Sequence, residues 1–599
     1  MQLGSVSADV AAPKSDHGLV AGPARPSITF ETITFSDGQT LRFDDDEIIV
    51  FVGPNNAGKS AALRELQNFI KTSSVPQNVV TAATLRKVGN AASLGAYLEK
   101  NAQKSGDLGN VSYGGMGFQI HHTHFQFFDR PDRHPVAPFF SVLIGTEDRL
   151  TSSNPASAIA LHRDPPSHPI HVLLTDEKLA GEISGFFRRA FNKDLVVFRA
   201  GGGSFPLYVG EKPDKLSEED ELAKRYVEAL LSQAKPLQTQ GDGMRSFATV
   251  LLYVLAADSH SVQFLDEPEA FLHPPQARLL GEYIAQERRS KSQLFIATHS
   301  TDILDGLMAG GLNKIRLIRI RRDGDVNHIK ELSREKTASI SNDPLTRYSG
   351  VFSGIFFQRV IIAEADSDCL FYNSILRTRA VTGDQHPDVL FIHAAGKHRM
   401  GELAETLKAL GVPVSIVADL DLLNDEGTFK GLVQKLGGSW DGIGPHWRAI
   451  KTSVEGLRPP MTADQVKSLI AKELEAVGGV EPFPKQSERQ IKYIFKTLSP
   501  WEFVKQAGRS GFSGGQTTSH FDQLSDKCAK LGLWLVPVGE LEGFCRSVDA
   551  RHGPAFVEKV LRERDLELDQ ELQEARDFVK KIWEAPSPEA ARNNKPAEV

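Results

Sequence analysis

The chain has 599 residues, of which 40% are hydrophobic and 24% charged. This composition excludes collagen-like, disordered and coiled-coil rod proteins. The length fits two or three globular domains. The net charge of −7 excludes a global basic field, so DNA contacts would need local patches. Three scattered cysteines favour a reducing, cytoplasmic compartment. No segment reaches the ~18 apolar residues of a membrane span, so no membrane contact is predicted.

The predicted elements alternate strand and helix twice along the chain. The first alternation runs from ITFETITF through EIIVFVG, SVQFLDE and SQLFIATHS, and the second from RVIIAEAD through DVLFIHAAG, VPVSIVADLD and GLWLVPVGELEGF. Such alternation is typical of α/β domains. The predicted segments are a disordered tail (1–27), an α/β domain with an inserted dimerisation or helical region (28–335), a linker (336–354), a second α/β domain (355–550), C-terminal helices (551–584) and a disordered tail (585–599).

A glycine-rich loop lies between the strand EIIVFVG and the helix SAALRELQNFI. Its sequence, GPNNAGKS, fits the GxxxxGK[ST] pattern in full. The backbone N–H groups of such a loop cradle phosphates at a helix N-terminus. Lys59 is expected to reach the β- and γ-phosphates of ATP, and Ser60 to hold Mg²⁺. The predicted nucleotide-binding residues of the loop are Gly53, Asn55, Asn56, Gly58, Lys59 and Ser60.

Two later strand ends supply the groups needed for ATP hydrolysis. SVQFLDE ends in Asp266 and Glu267, and SQLFIATHS carries His299 near its end. Asp266 is predicted to hold Mg²⁺ together with Ser60, and Glu267 to activate the attacking water. His299 is predicted to contact the γ-phosphate.

A second group of acids follows two strands of the second domain. RVIIA ends at Glu364, and VPVSIVA ends at Asp419 and Asp421. Residues just past the carboxyl ends of parallel strands meet at one edge of the sheet. Several carboxylates in one place require cations, and oxygen ligands suit Mg²⁺ or Mn²⁺. Two such ions about 4 Å apart stabilise the attacking and leaving oxygens of phosphodiester hydrolysis.

Taken together, these motifs resemble the OLD (overcoming lysogenisation defect) family, in which an ABC-type, RecF-like ATPase head precedes a TOPRIM domain. DEPEAFLHPPQ is particularly similar to OLD proteins, and Glu364 followed by Asp419 and Asp421 resembles the TOPRIM pattern. Here EAxxD replaces the usual EGxxD, since Ala365 stands where a glycine is usual. The segment between the GPNNAGKS loop and Asp266 contains no sustained heptad pattern. A long coiled-coil tether of the SMC type is therefore disfavoured.

The resemblance implies further site residues. In the head, a signature loop reaches the partner subunit's nucleotide, and Gly241 and Gly243 stand at the matching place, although the loop departs from LSGGQ. The head is therefore expected to form an ATP-sandwich homodimer or higher oligomer. Gln119 and Gln126 are alternative candidates for the Q-loop glutamine.

In the TOPRIM half, the resemblance makes Asp368 and Glu542 candidate metal ligands, with Glu540 expected only to shape its turn. Lys505 is either the basic residue that neutralises the scissile phosphate or an ordinary surface lysine. A basic run, Arg316, Arg319, Arg321 and Arg322, is either a DNA contact or a solvated strand edge.

The family implies an ATP-regulated, Mg²⁺- or Mn²⁺-dependent DNA endonuclease that serves bacterial defence against phage. The Gabija nuclease subunit, which needs a helicase, and retron-associated effectors, which need a reverse transcriptase with its DNA–RNA hybrid, are similar in plan. The alternatives are a RecF-like repair ATPase whose TOPRIM domain binds DNA without cleaving it, and an ATP-dependent sensing scaffold. A topoisomerase is disfavoured because Tyr493 is the only candidate nucleophile in the downstream helical region.

Overall fold

The structure is a computed structural model. It describes residues 25–74, 78–107, 109–214, 221–256, 260–287, 292–311, 315–332, 350–457, 461–478, 482–497, 499–512, 514–550 and 553–586. Most of the predicted tails and of the predicted 336–354 linker lie outside these residues. The first strand begins at Ser27, one residue before the predicted start of the first domain. Across the described residues, no helix combines the length and apolarity that crossing a membrane requires.

The first domain contains seventeen strands and ten helices among the described residues. The strands are β1 (Ser27–Phe35), β2 (Thr40–Arg42), β3 (Ile48–Val52), β4 (Val80–Val88), β5 (Gln103–Ser105), β6 (Ser112–Gly115), β7 (Phe118–His121), β8 (Ser141–Ile144), β9 (Ala156–Ser157), β10 (Asp194–Val197), β11 (Ser204–Phe205), β12 (Leu207–Gly210), β13 (Ala234–Pro236), β14 (Val262–Asp266), β15 (Gln293–Ala297), β16 (Ile315–Asp323) and β17 (Val326–Leu332). The helices are α1 (Lys59–Thr72), α2 (Ala91–Asn101), α3 (Ala137–Phe140), α4 (Asp148–Thr151), α5 (Pro169–Thr175), α6 (Glu177–Phe191), α7 (Lys224–Gln233), α8 (Asp242–Leu251), α9 (Pro274–Glu287) and α10 (Thr301–Gly310).

The core of this domain is a six-stranded sheet in the order β17-β16-β3-β15-β14-β8, in which only β17 is antiparallel to its neighbour. All five residues of both β3 and β15 are buried, as expected for strands covered on both faces. Because β3, β15 and β14 are parallel neighbours, the glycine-rich loop, His299 and the Asp266–Glu267 pair follow strand ends at one edge of the sheet. Smaller sheets surround this core, in the orders β2-β1-β4, β5-β6-β7, β10-β12-β13 and β9-β11.

The second domain has a four-stranded, fully parallel sheet in the order β19-β18-β20-β21. Its strands are β18 (Arg359–Ala363), β19 (Val389–His393), β20 (Val414–Ala418) and β21 (Leu533–Leu535). The helices are α11 (Asp366–Leu376), α12 (Arg379–Thr382), α13 (Lys397–Ala409), α14 (Glu426–Lys435), α15 (Gly444–Glu455), α16 (Ala463–Val477), α17 (Lys485–Thr497), α18 (Pro500–Ala507), α19 (Gly515–Lys530), α20 (Pro554–Glu563) and α21 (Gln573–Glu584). Helices α14 to α19 all lie in the long insertion between β20 and β21.

A buried arginine joins the two domains. Arg319 pairs in register with Val52 at the end of β3 and is only 2% exposed. Its guanidinium donates hydrogen bonds to the second domain, at distances of 3.0 Å to Ile355 O, 2.8 Å to Phe357 O and 2.6 Å to Gly411 O. Three backbone carbonyls are thereby satisfied away from water by one side chain. A continuous apolar core containing Leu317, Leu332, Val351, Ile355, Val360 and Leu407 surrounds the contact.

This contact corrects one expectation about the basic run. A DNA contact and a solvated strand edge are both wrong for Arg319, which is an interdomain anchor. They are also wrong for Arg316, which donates to Glu331 at 2.8 Å and lies over the ring of Phe43. The sequence pattern does not reveal this, since β17 and the second domain cover the strand only in the folded chain.

Candidate functional site

The phosphate loop after β3 takes a shape that requires glycine. Gly53 has φ +140°, and a Cβ there would lie 2.1 Å from Ile320 O on β16. Gly58 has φ +94°, and its Cβ would lie 2.9 Å from the Asn327 side chain. Asn327 in turn donates to Ala57 O at 2.6 Å. The outer strands β16 and β17 therefore hold the loop in place.

The loop and the first turn of α1 border a cavity of about 530 Å³, whose lining includes Asn55, Asn56, Gly58, Lys59, Ser60 and Glu267. Lys59 Nζ donates to Gly53 O and Pro54 O, both at 2.8 Å. Burial lowers the pKa of Lys59, while Glu267 and Glu269 act in the opposite direction. Ser60 Oγ donates to Asp266 Oδ1 at 2.7 Å. The two predicted Mg²⁺ ligands are thus adjacent, although Ser60 lies in the first turn of α1 and Asp266 at the end of β14.

Glu267 and His299 also come together beside this cavity. The distance from His299 Nδ1 to Glu267 Oε1 is 3.4 Å. Glu269, which is not among the predicted site residues, is 8% exposed and accepts hydrogen bonds from Thr298 Oγ1 at 2.7 Å and His299 N at 3.1 Å. Burial raises the pKa of Glu269. Glu269 therefore fixes the loop that carries His299.

The backbone of Glu267 is held in an unusual conformation. Its φ is +49°, a left-handed value that is rare for a residue with a Cβ. The fully buried Arg149 of α4 donates to Glu267 O at 2.8 Å and to Asp266 O at 2.5 Å. It also donates to Ser246 Oγ on α8 at 3.1 Å. Arg149 therefore joins the strand end that carries the acids to the helix that follows Gly241.

Replacing Arg149 with lysine is expected to lower ATP turnover about 10- to 100-fold, since a small displacement of a catalytic group has an effect of that order. Lysine cannot donate in the fixed planar arrangement that these acceptors require, so the Glu267 backbone should relax. Nucleotide affinity should change less than about threefold, because Arg149 contacts no residue of the phosphate loop among its hydrogen bonds. Steady-state hydrolysis and nucleotide titration measure the two effects.

The matched control is Arg163→Lys, since Arg163 is exposed and pairs only with the neighbouring Asp164 among the described ion pairs. Unchanged turnover in Arg149→Lys would contradict the positioning role. So would a parallel loss of nucleotide affinity and turnover, which indicates general unfolding of the site.

Gly241 and Gly243 lie at the start of α8, away from the cavity lining described above. A Cβ on Gly243 would lie 2.7 Å from Phe271 O, so the start of this helix packs closely on the segment after Glu267. Their contact with a partner's nucleotide stays a prediction. Gln119 lies on β7 and Gln126 in the 3-10 helix His122–Asp129, and neither borders the phosphate-loop cavity.

The second site is at the carboxyl edge of the parallel sheet in the second domain. Glu364 follows β18, and Asp419 and Asp421 follow the adjacent strand β20. One carboxylate oxygen from each of the three lies within 4.8 Å of the others. The structure thus brings together the three acids that the sequence predicted to converge.

The electrostatics of these acids reflect burial and mutual repulsion. Burial raises the pKa of Asp419 well above its ordinary value, and Asp368, Asp421 and Glu364 raise it further, while Lys505 opposes the change. Burial and the charge of Asp421 raise the pKa of Glu364. The pKa of Asp368 rises to about 6, through burial and then the charges of Glu364 and Glu542, against the hydrogen bond from Ala365 N. The acids carry more negative charge in one place than the local lysines offset.

Lys505, on α18, lies among these acids. Its Nζ is 3.3 Å from Asp419 Oδ2, 3.4 Å from Glu540 Oε2 and 3.9 Å from Asp421 Oδ2, and its side chain is 18% exposed. Burial alone would lower its pKa, but the three carboxylates raise it above the ordinary value. Lys505 is therefore not an ordinary surface lysine. The expectation that Glu540 only shapes its turn is likewise wrong, since Glu540 contacts Lys505.

A glycine brings α18 to this position. Gly539 has φ +101°, and a Cβ there would lie 1.8 Å from Lys505 O. Gly539 O also accepts a hydrogen bond from Leu420 N at 2.9 Å, between the two aspartates. Only glycine permits both the backbone conformation and the contact, so the GELEGF segment joins Lys505 to the aspartate strand.

A second lysine, absent from the predicted site residues, comes from the turn after β19. Lys397 Nζ is 3.3 Å from Asp421 Oδ2. The turn before it has positive φ at Ala395 (+54°) and Gly396 (+117°), and Gly396 N donates to Glu364 O at 3.1 Å. Lys397 directly follows the predicted strand segment DVLFIHAAG, but the sequence does not show that the lysine faces the acids.

The two remaining candidate ligands make backbone hydrogen bonds. Asp368 Oδ2 accepts from Ala365 N at 2.9 Å at the start of α11. Glu542 Oε1 accepts from Gly553 N at 2.7 Å, and its charge contributes to the raised pKa of Asp368. The charges of Glu364 and Glu542 both act on Asp368, and the role of Asp368 and Glu542 as metal ligands stays a prediction.

The donor set fits a divalent cation. Asp421 Oδ1 is buried and has no hydrogen-bond partner among the described residues, which is costly for an ionised oxygen without a cation. Carboxylate oxygens from three residues within 4.8 Å are hard ligands of the type that Mg²⁺ and Mn²⁺ prefer. The residues therefore match the predicted metal centre in chemistry.

Two family models match the chain over these sites. Residues 119–305, which contain Asp266, Glu267 and His299, match "AAA domain, putative AbiEii toxin, Type IV TA system". Residues 355–421, which contain the three acids, match "Overcoming lysogenization defect protein-like, TOPRIM domain". The chain therefore combines an ATPase domain with an OLD-like TOPRIM domain, and the predicted α/β fold class, an ABC-like head followed by a TOPRIM domain, is confirmed.

A curated relative is the Old nuclease of Escherichia phage P2, which is 21% identical to the chain over 292 residues. The match covers 47% of this chain and 43% of the phage protein, so it spans less than half the length of that relative.

Among solved structures, an SMC head bound to the C-winged helix domain of ScpA aligns with 52% of this chain and 100% of its own, at 13% identity and a TM-score of 0.31. The SMC head domain of Thermotoga maritima aligns with 52% and 99%, at 13% identity and a TM-score of 0.27. Neither similarity bears on function at these scores.

Proposed function

We propose that the chain is an ATP-hydrolysing, divalent-metal-dependent DNA endonuclease of the OLD type. The observation that carries the proposal is the group of Glu364, Asp419 and Asp421, with oxygens within 4.8 Å and Lys505 in contact. The match to an OLD-like TOPRIM domain and the likeness to a phage protein named as a nuclease support this choice.

The acids of the TOPRIM half have distinct parts in this proposal. Glu364, Asp419 and Asp421 would hold Mg²⁺ or Mn²⁺, with Asp368 and Glu542 as further ligands. Metal ions bound there supply Lewis-acid stabilisation of the attacking and leaving oxygens. Lys505 remains charged among the acids, and it neutralises the scissile phosphate once DNA enters.

In the ATPase half, the bound γ-phosphate draws Lys59 away from the carbonyls of Gly53 and Pro54 that it contacts in the structure. Ser60 and Asp266 hold Mg²⁺. Glu267 accepts a proton from the attacking water, and His299 contacts the γ-phosphate. Gly241 and Gly243 complete the site of a partner subunit, which makes the active ATPase a homodimer or higher oligomer.

Communication between the two centres follows a continuous rigid path. The phosphate loop follows β3, β3 pairs with β16, and Arg319 on β16 holds backbone carbonyls next to the TOPRIM sheet. Connected elements of this kind can carry coupling between distant sites. We propose that the nucleotide state gates DNA access to the TOPRIM acids along this path.

Defence against phage, and a helicase or a reverse transcriptase with its DNA–RNA hybrid as partner, extend the proposal on the family resemblance alone. They concern the context in which the nuclease works rather than its chemistry.

Metal removal tests the nuclease assignment. Supercoiled plasmid should stay intact when the protein is treated with a chelator, and nicked or linear product should appear when Mg²⁺ or Mn²⁺ is restored. Cleavage that persists in excess chelator would contradict a metal-dependent centre. ATP turnover without cleavage under any metal condition would favour the RecF-like alternative or the sensing scaffold.

A further inference from the structure

A helical hairpin projects from the TOPRIM half. Helices α16 and α17 lie in the insertion between β20 and β21 and pack on each other. Of the fifteen residues of α16, only Val477 is buried, and of the described side chains of α17, only Ile494 is buried. Most helices of globular proteins bury a broad apolar stripe. This hairpin is therefore an arm with most of its surface in solvent.

Helix α17 has two different faces. Ser487, Ile491 and Ile494 are half-buried or buried and recur at helical spacing, so they form the inner face. Lys485, Arg489 and Lys492 recur at i, i+4 and i+7 and are all exposed. We name these three cations the basic stripe. It extends about 10 Å along the helix at the usual rise of about 1.5 Å per residue.

Local charge favours an anionic partner for this face. The described side chains of α17 include the three cations of the basic stripe and one acid, Glu488, which pairs with Lys492. The chain as a whole has a net charge of −7, so the stripe is a local reversal of the overall sign. A stripe of about 10 Å matches roughly three successive phosphates of one DNA strand, at about 3.4 Å per phosphate along the axis.

Two exposed aromatic side chains flank the basic stripe. Tyr493 is 54% exposed and Phe495 56% exposed. On a helical projection they fall on opposite sides of the stripe, about 80° from its centre. Aromatic rings beside cations are a combination that binds nucleic acid, since rings stack on bases while cations hold the backbone.

The arm starts next to the acidic site. Two residues separate the end of α17 at Thr497 from the start of α18 at Pro500, and α18 carries Lys505 into contact with Asp419. The end of the arm therefore lies two residues from the helix that reaches the acids.

We propose that the basic stripe binds the sugar–phosphate backbone of DNA beside the scissile phosphate, with Tyr493 and Phe495 against its sugars or exposed bases. The inference rests on the proposed nuclease function for its substrate, but it is tested by binding, without cleavage. The other candidate occupant of the arm is a second copy of the chain.

The test compares two double variants of the full-length protein. Arg489→Gln with Lys492→Gln removes two cations of the stripe, and Lys467→Gln with Lys472→Gln removes two exposed cations from α16 of the same hairpin. Both change the net charge by the same amount, and glutamine retains helix propensity. Binding of a labelled DNA duplex is measured in chelator, at several salt concentrations.

The stripe variant is expected to bind about tenfold more weakly at moderate salt, with the slope of log affinity against log salt reduced by about 2. The α16 control should stay within about twofold of wild type. Equal weakening in both variants, or no weakening in the stripe variant, would overturn the inference. So would a change in oligomeric state by light scattering at unchanged DNA affinity, because it would assign the arm to a second copy.

Failure of the nuclease proposal gives a different pattern. If wild type cleaves no DNA with any metal but the stripe variant binds DNA more weakly than the control, the arm is a DNA contact and the nuclease assignment is wrong. Circular dichroism of both variants checks that the hairpin stays helical.

Discussion

Replacing Glu267 with glutamine is expected to lower ATP turnover at least about 100-fold while nucleotide still binds, because a positioned general base contributes about 10²- to 10⁴-fold. Glu267 has the position for this role. It borders the phosphate-loop cavity, its carboxylate is 3.4 Å from His299, and Arg149 holds its backbone at φ +49°. Glutamine retains the shape of the side chain and cannot accept the proton.

The oligomeric state of this variant with ATP bound distinguishes a defect in hydrolysis from a defect in nucleotide binding. If nucleotide closes the heads, Glu267→Gln with ATP should accumulate a dimer that light scattering detects, while wild type cycles through it. Glu228→Gln is the matched control, since Glu228 lies on the exposed face of α7. Normal turnover in Glu267→Gln would refute the assignment of the base and of the strand end that carries it.

Replacing Asp419 with asparagine is expected to lower DNA cleavage at least about 1,000-fold, since loss of a metal ligand removes several kcal/mol of transition-state stabilisation. ATP turnover in the absence of DNA should stay within about twofold of wild type. Asp419 lies between Lys505 and the other acids, and its side chain is 21% exposed against 30% for Asp421, so water replaces it less readily than it replaces Asp421.

The same substitution should not destabilise the metal-free protein. Burial and neighbouring acids raise the pKa of Asp419, so its charged form is unfavourable without a cation, and a neutral amide relieves the repulsion. Thermal unfolding in chelator should therefore show an equal or higher Tm. Asp384→Asn, at an exposed position of the same domain, is the control. A large drop in Tm would mean that lost cleavage reports unfolding rather than lost ligation.

The sequence predicts the same part of both sites, the residues that follow strand ends. Residues at strand ends were predictable, because a motif fixes both the strand and the residue that follows it. Ser60 and Asp266 lie 206 residues apart in the chain, yet their motifs alone anticipated the contact that the structure contains. Glu364, Asp419 and Asp421 were predictable for the same reason, since parallel strands bring their carboxyl ends together.

Residues that act through long side chains or close backbone packing were not predictable. Arg149 stands in no motif. Its positioning role depends on its contacts with the end of β14 and with α8 in the folded chain. Glu269 stands inside DEPEAFLHPPQ and Lys397 directly follows DVLFIHAAG, but spacing does not say which way a side chain points. The role of Arg319 depends on how the two domains pack, which hydrophobic periodicity does not specify.

The small sheets of the inserted region illustrate the same limit on the fold. Three short strands of this region are β10, β11 and β12 (Asp194–Val197, Ser204–Phe205 and Leu207–Gly210). Their pairings, β10 with β12 and β11 with β9, join segments that periodicity treats separately. Register depends on which faces become buried, and that is decided by the packing of the whole domain.

The most direct test of the account compares plasmid cleavage by wild type and by Asp419→Asn side by side, in Mg²⁺ or Mn²⁺, with and without ATP. Only wild type is expected to cleave the plasmid. ATP is expected to raise or lower the rate of cleavage through the Arg319 contact. Intact plasmid with both proteins while ATP turnover continues, or equal cleavage by both, would contradict a nuclease centre at Glu364, Asp419 and Asp421.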